Sequence, residues 1–157
     1  MKLEEAKAIA QKYVDILKPY CLRIEIAGSI RRGKPEVKDI EIVVIPDYFR
    51  FEVFCQKVNK WKKVKGEPTG KYTQRILPEG IKLDLFIANE RNWGLIYAIR
   101  TGSADFSHKI LACGWVRVGF KSEGGILKRG GKEYEAREEK DLFSLIGIPF
   151  VEPRLRI

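Results

Sequence analysis

Apolar positions at the start of the chain recur every three to four residues. Leu3, Ala6, Ile9, Ala10, Tyr13, Val14 and Leu17 fall on one face, with Glu4 and Glu5 in the first turn and Pro19 as a stop, which predicts an amphipathic helix. The period then drops to two. Leu22, Ile24 and Ile26 alternate with Arg23 and Glu25, predicting a strand that breaks at Gly28-Ser29, and a second strand runs from Asp39 to Ile45, bounded by Pro46. Residues 49–58 read as a helix. Residues 71–77 and 81–87 read as two further strands joined by the turn Pro78-Glu79-Gly80. Beyond Asn89 the pattern changes to helical stretches over 93–100 and 104–113. Residues 115–120 and the glycine-rich 122–134 suggest a small twisted hairpin region, and 140–145 a short closing helix. The expected fold class is α+β, with a mixed or antiparallel sheet flanked by helices over residues 1–88 and a small C-terminal α+β lobe over 89–157.

Composition narrows the partners. The 157 residues are 45% hydrophobic and 32% charged, which places the chain with globular proteins long enough to bury a core. Thirty Lys plus Arg against twenty-one Asp plus Glu give a net charge of +9, a field that attracts polyanions. No apolar run is long enough for a membrane span, and the acidic N-terminus is unlike a signal peptide, so a cytoplasmic or nuclear protein is expected. The three cysteines are widely spaced and odd in number, against a disulfide framework or a paired zinc motif. His108 is the single histidine, so carboxylates are left to carry any demanding chemistry. Trp61 and Trp115 read as core residues before base-stacking ones.

Residues two apart on a strand project from the same face, so Asp39 and Glu41 point together while Ile40 and Ile42 face the opposite side. By itself that pair reads as the wet side of an edge strand. Asp84 changes the balance, because Lys82, Asp84 and Phe86 form one face of a strand whose other face, Ile81, Leu83, Leu85 and Ile87, is wholly apolar. If the two strands are neighbours, three acids converge in a hard-oxygen site suited to Mg²⁺ or Mn²⁺. Upstream, the Gly28-Ser29 turn with Arg31, Arg32 and Gly33 groups backbone N–H groups, a hydroxyl and guanidinium groups at one strand end, a combination that binds phosphate.

Gly28-Ser29, nine intervening residues, then Asp39-Ile40-Glu41 resembles the signature of the polymerase-beta-like nucleotidyltransferase superfamily, and more narrowly of the family X DNA polymerases. Three further blocks carry the resemblance in the same order. KLDLFIA (82–88) is similar to the strand bearing the family's third acid, RTGSADFSHKI (100–110) to its Thr-Gly-Ser motif, and EEKDLFSLIGIPFVEPRLR (138–156) to its C-terminal segment. The resemblance implies a palm lobe at 1–88 and a lobe at 89–157 that closes over nucleotide and nascent base pair. It implies Asp39, Glu41 and Asp84 as catalytic residues and ligands of two Mg²⁺ or Mn²⁺ ions, with Gly28, Ser29, Arg32, Thr101, Gly102, Ser103 and Ser107 at the nucleotide.

It also implies a monomeric, template-directed DNA polymerase of the repair or gap-filling type, adding dNTPs to a primer 3′-hydroxyl, with DNA and dNTPs as partners and no membrane. Two alternatives remain. One is a nucleotidyltransferase that is template-independent or uses another acceptor; the other is a non-catalytic nucleic-acid-binding palm. Lys82 could steady the primer end, and Lys62, Lys63, Lys65, Arg117, Lys128 and Arg129 are the expected DNA contacts. The chain begins at the palm's first helix, so the lyase domain of larger members and its activity are not expected. It also departs from the family. Glu41 stands where an aspartate is usual, and Ile99 and Arg100 precede Thr101 where an aromatic commonly helps exclude a ribose. Ser107 and Leu111 replace the family's minor-groove asparagine and basic residue.

Overall fold

The computed structural model describes residues 1–157 as a mixed α+β fold with two sheets. Helix α1 spans Leu3–Leu17 and buries Ala6, Ala10, Tyr13, Val14 and Leu17, the stripe that its three-and-four spacing creates. Strand β1 (Cys21–Ile26) leads through a four-residue helix α2 (Gly28–Arg31) to β2 (Asp39–Pro46), and α3 (Phe51–Asn59) follows. Strands β3 (Lys62–Gly66), β4 (Tyr72–Ile76) and β5 (Lys82–Ile87) complete a five-stranded sheet in the order β1-β2-β5-β4-β3. Only the β2–β5 pair is parallel.

Helix α4 (Trp93–Thr101) connects this sheet to the rest. A π-helical turn (Phe106–Ala112) runs on into α5 (Cys113–Arg117), then β6 (Lys121–Glu123), β7 (Ile126–Arg129) and β8 (Lys132–Tyr134) form a three-stranded antiparallel sheet. Helix α6 (Glu139–Ile146) closes the chain, opened by a reciprocal capping box between Glu138 and Asp141.

Two differences from the sequence expectations concern local form. Residues 62–66 form an edge strand although all five are exposed, because β4 supplies its hydrogen bonds and no apolar alternation announces it. The segment from Trp115 begins as helix, since Trp115 packs into the C-terminal core with Leu111, Leu142 and Ile146 on helical spacing, and the hairpin starts only at Lys121. No helix is long and apolar enough to cross a membrane.

Side chains on the two faces of the first sheet have different fates. Ile40, Ile42, Val44, Leu83 and Leu85 pack beneath α1 and α3 with Phe54 and Val58, in the largest apolar cluster. On the opposite face Val43, Ile45, Phe86 and Ala88 are covered by Trp93 from α4. That helix is apolar on a second side too, where Leu95 and Ala98 enter the C-terminal core with Phe106, Phe120, Leu127 and Phe143. The part of the sheet face that α4 leaves open is where β2 and β5 begin, and there the face carries acids.

Candidate functional site

The parallel register sets Asp39 opposite Lys82 and Glu41 opposite Asp84. Neighbouring strands lie about 4.8 Å apart, so Glu41 and Asp84 are direct lateral neighbours on one face, with Asp39 two residues along the same strand. All three are sheltered, Asp84 most of all at 9% exposure. Burial and the negative charges of Asp84 and Asp39 push Glu41 up to about 7, against the opposing fields of Arg32 and Arg100. Asp39 is also raised, first by burial and then by Asp84, with Lys82 and Lys38 opposing.

Two residues that the sequence reading did not single out hold Asp84. The Tyr72 hydroxyl donates to its Oδ1 at 2.5 Å and Gln74 Nε2 donates to the same oxygen at 2.7 Å. Both donors come from β4, whose register places Gln74 directly opposite Asp84 and Tyr72 opposite Phe86. The Tyr72 ring stacks on Phe86 with centroids 4.9 Å apart, so the hydroxyl is aimed by packing. Burial and the bond to Asp84 raise the Tyr72 hydroxyl well above its ordinary range, so it stays a donor at neutral pH. Both bonds end on Oδ1, leaving Oδ2 without a protein donor. The only signal in the sequence was the alternation of Tyr72, Gln74 and Ile76 on one strand face, which becomes informative once the register is known.

The phosphate-type turn lies against the acid strand. The Ala27 N–H donates to the Glu41 carbonyl at 2.8 Å, and Gly28, at φ +62°, has so little room that a Cβ there would stand 2.7 Å from Glu41 Cδ. Ser29 is half-buried on α2, and Arg32 follows at the end of that helix. Arg32 Nη1 donates to the Thr101 carbonyl at 2.5 Å, while its Nε is buried with no acceptor. Burial lowers the affinity of Arg32 for its proton, and Glu41 works in the other direction. Arg32 Nη1 also crowds Gly102, where an added Cβ would stand 2.9 Å away.

Other residues named from the sequence are placed less openly. Thr101 is fully buried; its hydroxyl donates to the Tyr97 carbonyl at 2.7 Å and accepts from Arg31. The Ser107 hydroxyl is turned back onto the Ile99 carbonyl at 2.8 Å, an internal helix bond. Ser103 Oγ accepts from the Phe106 N–H at 3.2 Å and opens the π-helical turn. Lys62, Lys63 and Lys65 stand exposed on the β3 edge, with Lys63 paired to Glu67. Arg117 is exposed on α5. Lys128 pairs with Glu123 at 3.3 Å, and Arg129 donates to the Val118 carbonyl while lying 4.3 Å from the centre of the Phe120 ring, so these two are partly engaged within their own sheet.

A second ionic cluster joins α2 to α6. Arg31 grips Glu139 with two bonds of 2.7 and 2.6 Å, and Arg156, itself fully buried, donates to the same carboxylate at 2.6 Å. Beside it Arg23 makes a two-bond contact to Glu138 and lies 4.3 Å from the centre of the Trp93 ring. These pairs fasten the open end of the first sheet to the C-terminal helix.

The three acids are not drawn into a ready three-ligand metal cluster. Their donor set nevertheless fits hard divalent ions: all ligands are carboxylate oxygens, one oxygen of Asp84 is left without a donor, and burial together with the neighbouring acids raises Glu41 and Asp39. The C-terminal segment carries a family likeness. Residues 96–157 match the DNA polymerase beta thumb. The thumb match begins within α4, the helix that packs on both the acid-bearing sheet and the C-terminal core, and it makes the chain family X polymerase-like. No curated protein matches the chain.

Proposed function

We propose that this chain is a template-directed DNA polymerase that adds dNTPs to a primer 3′-hydroxyl, in the manner of repair or gap-filling enzymes. Residues 1–88 serve as its palm and 89–157 as the lobe that closes over the nucleotide. The observation that carries the reading is the parallel register of β2 and β5, which sets Glu41 beside Asp84 and brings Asp39 onto the same open face, in a chain whose C-terminal segment is a polymerase thumb.

In this reading Asp39, Glu41 and Asp84 would together hold two Mg²⁺ or Mn²⁺ ions. Bound there, such ions lower the pKa of an attacking hydroxyl and neutralise a triphosphate. Tyr72 and Gln74 keep Asp84 in one rotamer with Oδ2 turned free. Ser29 and Arg32, whose guanidinium keeps a donor without an acceptor, take the polyphosphate tail. Lys82 is exposed directly opposite Asp39, and in this reading it meets the primer-end phosphate. DNA binds through the exposed lysines of β3 and the basic thumb, and the net charge of +9 supports that contact.

The test is single-nucleotide extension of a primer against each of the four template bases, with Mg²⁺ and with Mn²⁺. Incorporation that follows the template base supports the proposal. Incorporation that ignores it makes the chain a template-independent nucleotidyltransferase, and none at all makes it a binding module.

A further inference from the structure

Next to the acids, the same sheet face continues into a cleft of about 530 Å³ between β4, β5, α4 and the β6–β7 hairpin tip. Its lining contains no acid. It does contain Lys71 and Arg100, neither of which has an ion-pair partner; Arg100 instead lies 4.3 Å from the centre of the Phe86 ring. The hairpin tip on one side of it is Gly124-Gly125. A Cβ at Gly125 would stand 2.7 Å from Asn92 Nδ2 and press the hairpin away from its present seat.

At the mouth of this cleft the chain carries its most anomalous aromatic residues. Tyr48 lines the opening and is 63% exposed, and the next residue, Phe49, is wholly exposed. Both belong to a short turn, Tyr48–Arg50, that Asp47 caps by accepting the Phe49 N–H. The Tyr48 ring is braced at 4.9 Å against Phe51, so it is held in place while its outer surface is free. Exposing an aromatic to water forgoes its burial energy, and a braced tyrosine followed by a bare phenylalanine, beside unpaired cations, is an arrangement that takes stacked bases and their phosphates.

We infer that this cleft and its aromatic mouth form a binding track for single-stranded nucleic acid, with bases stacked on Tyr48 and Phe49 and the phosphates drawn to Lys71 and Arg100. An apolar peptide would find no use for two bare cations, and a free phosphate would find none for the rings. The track shares its class of partner with the polymerase reading but requires neither metal nor catalysis. Its floor adjoins the acid site, since Tyr72 lines it while holding Asp84, and it runs from there toward the C-terminal end of β5 at Ile87 and Ala88.

Fluorescence anisotropy of a labelled oligothymidylate of about a dozen nucleotides, in EDTA and without dNTP, tests the track on the full chain. The double change Tyr48→Ala with Phe49→Ala is expected to weaken single-strand binding about tenfold or more while changing blunt-duplex binding little, and Phe49→Trp to retain it. Lys71→Ala should flatten the salt dependence of the same binding. Unchanged single-strand affinity in the double variant overturns the inference, as does an equal loss on duplex, or displacement of the oligomer by millimolar dTMP, which would mark a mononucleotide site. Photocrosslinking of an iododeoxyuridine oligomer to the peptide containing Tyr48 and Phe49 would support it independently. Because no incorporation is measured, an inactive enzyme leaves the outcome unaffected.

Discussion

Two sheltered glutamates of this chain, Glu41 and Glu139, lie in opposite electrostatic states. Burial acts to raise the pKa of each, but Glu139 is gripped by Arg31 and Arg156 and ends below its ordinary value, whereas Glu41 shares its face with Asp84 and Asp39 and rises to about 7. One site is complete within the protein. The other has more negative charge than its neighbours neutralise, although Arg32 and Arg100 are near. A buried charge with its partners in place belongs to the architecture, and a buried charge left short of partners is where a cation or substrate has something to add.

The difference can be broken most severely at the acids. Asp39→Ala or Asp84→Asn is expected to lower primer extension by about a thousandfold or more, measured under single-turnover conditions, with the fold retained. At the other site, Glu139→Ala leaves Arg31 and Arg156 facing each other without a counter-ion. Urea denaturation should show a loss of about 3–5 kcal/mol, as expected when one member of a buried ionic cluster is removed.

The pH response sharpens the contrast, because the pKa values of the two carboxyl groups are shifted in opposite directions. Glu41 has its pKa raised in the folded state, so its contribution is fully present below about 4.5 and is lost as pH rises through about 7. Metal-free protein should therefore lose up to roughly 3 kcal/mol over that window, and Glu41→Gln should flatten the curve. Glu139 has its pKa lowered, so its contribution is present above the unfolded carboxylate value and fades only as pH falls below it. Thermal melts across pH would separate the two.

The smallest effect is expected at Tyr72. Tyr72→Phe keeps the ring on Phe86 and removes one bond to Asp84 Oδ1, at a cost to stability of about 1 kcal/mol. Loss of that rotamer constraint should raise the Mn²⁺ concentration needed for half-saturation about tenfold, read by paramagnetic titration of the unreacted protein. An unchanged titration would remove Tyr72 from the site.

Much of the first sheet was legible because its strands alternate cleanly. Ile40 and Ile42 against Asp39 and Glu41, and Leu83 and Leu85 against Lys82 and Asp84, can be assigned to faces by period two alone. Strand β3 could not be read that way, since Lys62, Lys63 and Lys65 stand exposed on an edge held by hydrogen bonds to β4. The helical state of Trp115 was hidden for another reason: a short apolar run suits strand or helix, and packing against Ile146 and Leu142 decides between them. Tyr72 and Gln74 escaped because a hydrogen bond to Asp84 depends on which strand lies beside β5.

The amino-acid order alone determined the α+β pattern, the basic charge, the three carboxylates on strand faces and the glycine-serine turn before them. Each is a property of a residue or of its immediate neighbours. Tertiary structure decided that β2 and β5 pair in parallel with Glu41 against Asp84, that Arg31 and Arg156 converge on Glu139, and that Thr101 and Ser107 turn inward. Those depend on strand register and helix docking, which bring together residues far apart in the chain, and local periodicity carries no information about such long-range pairing.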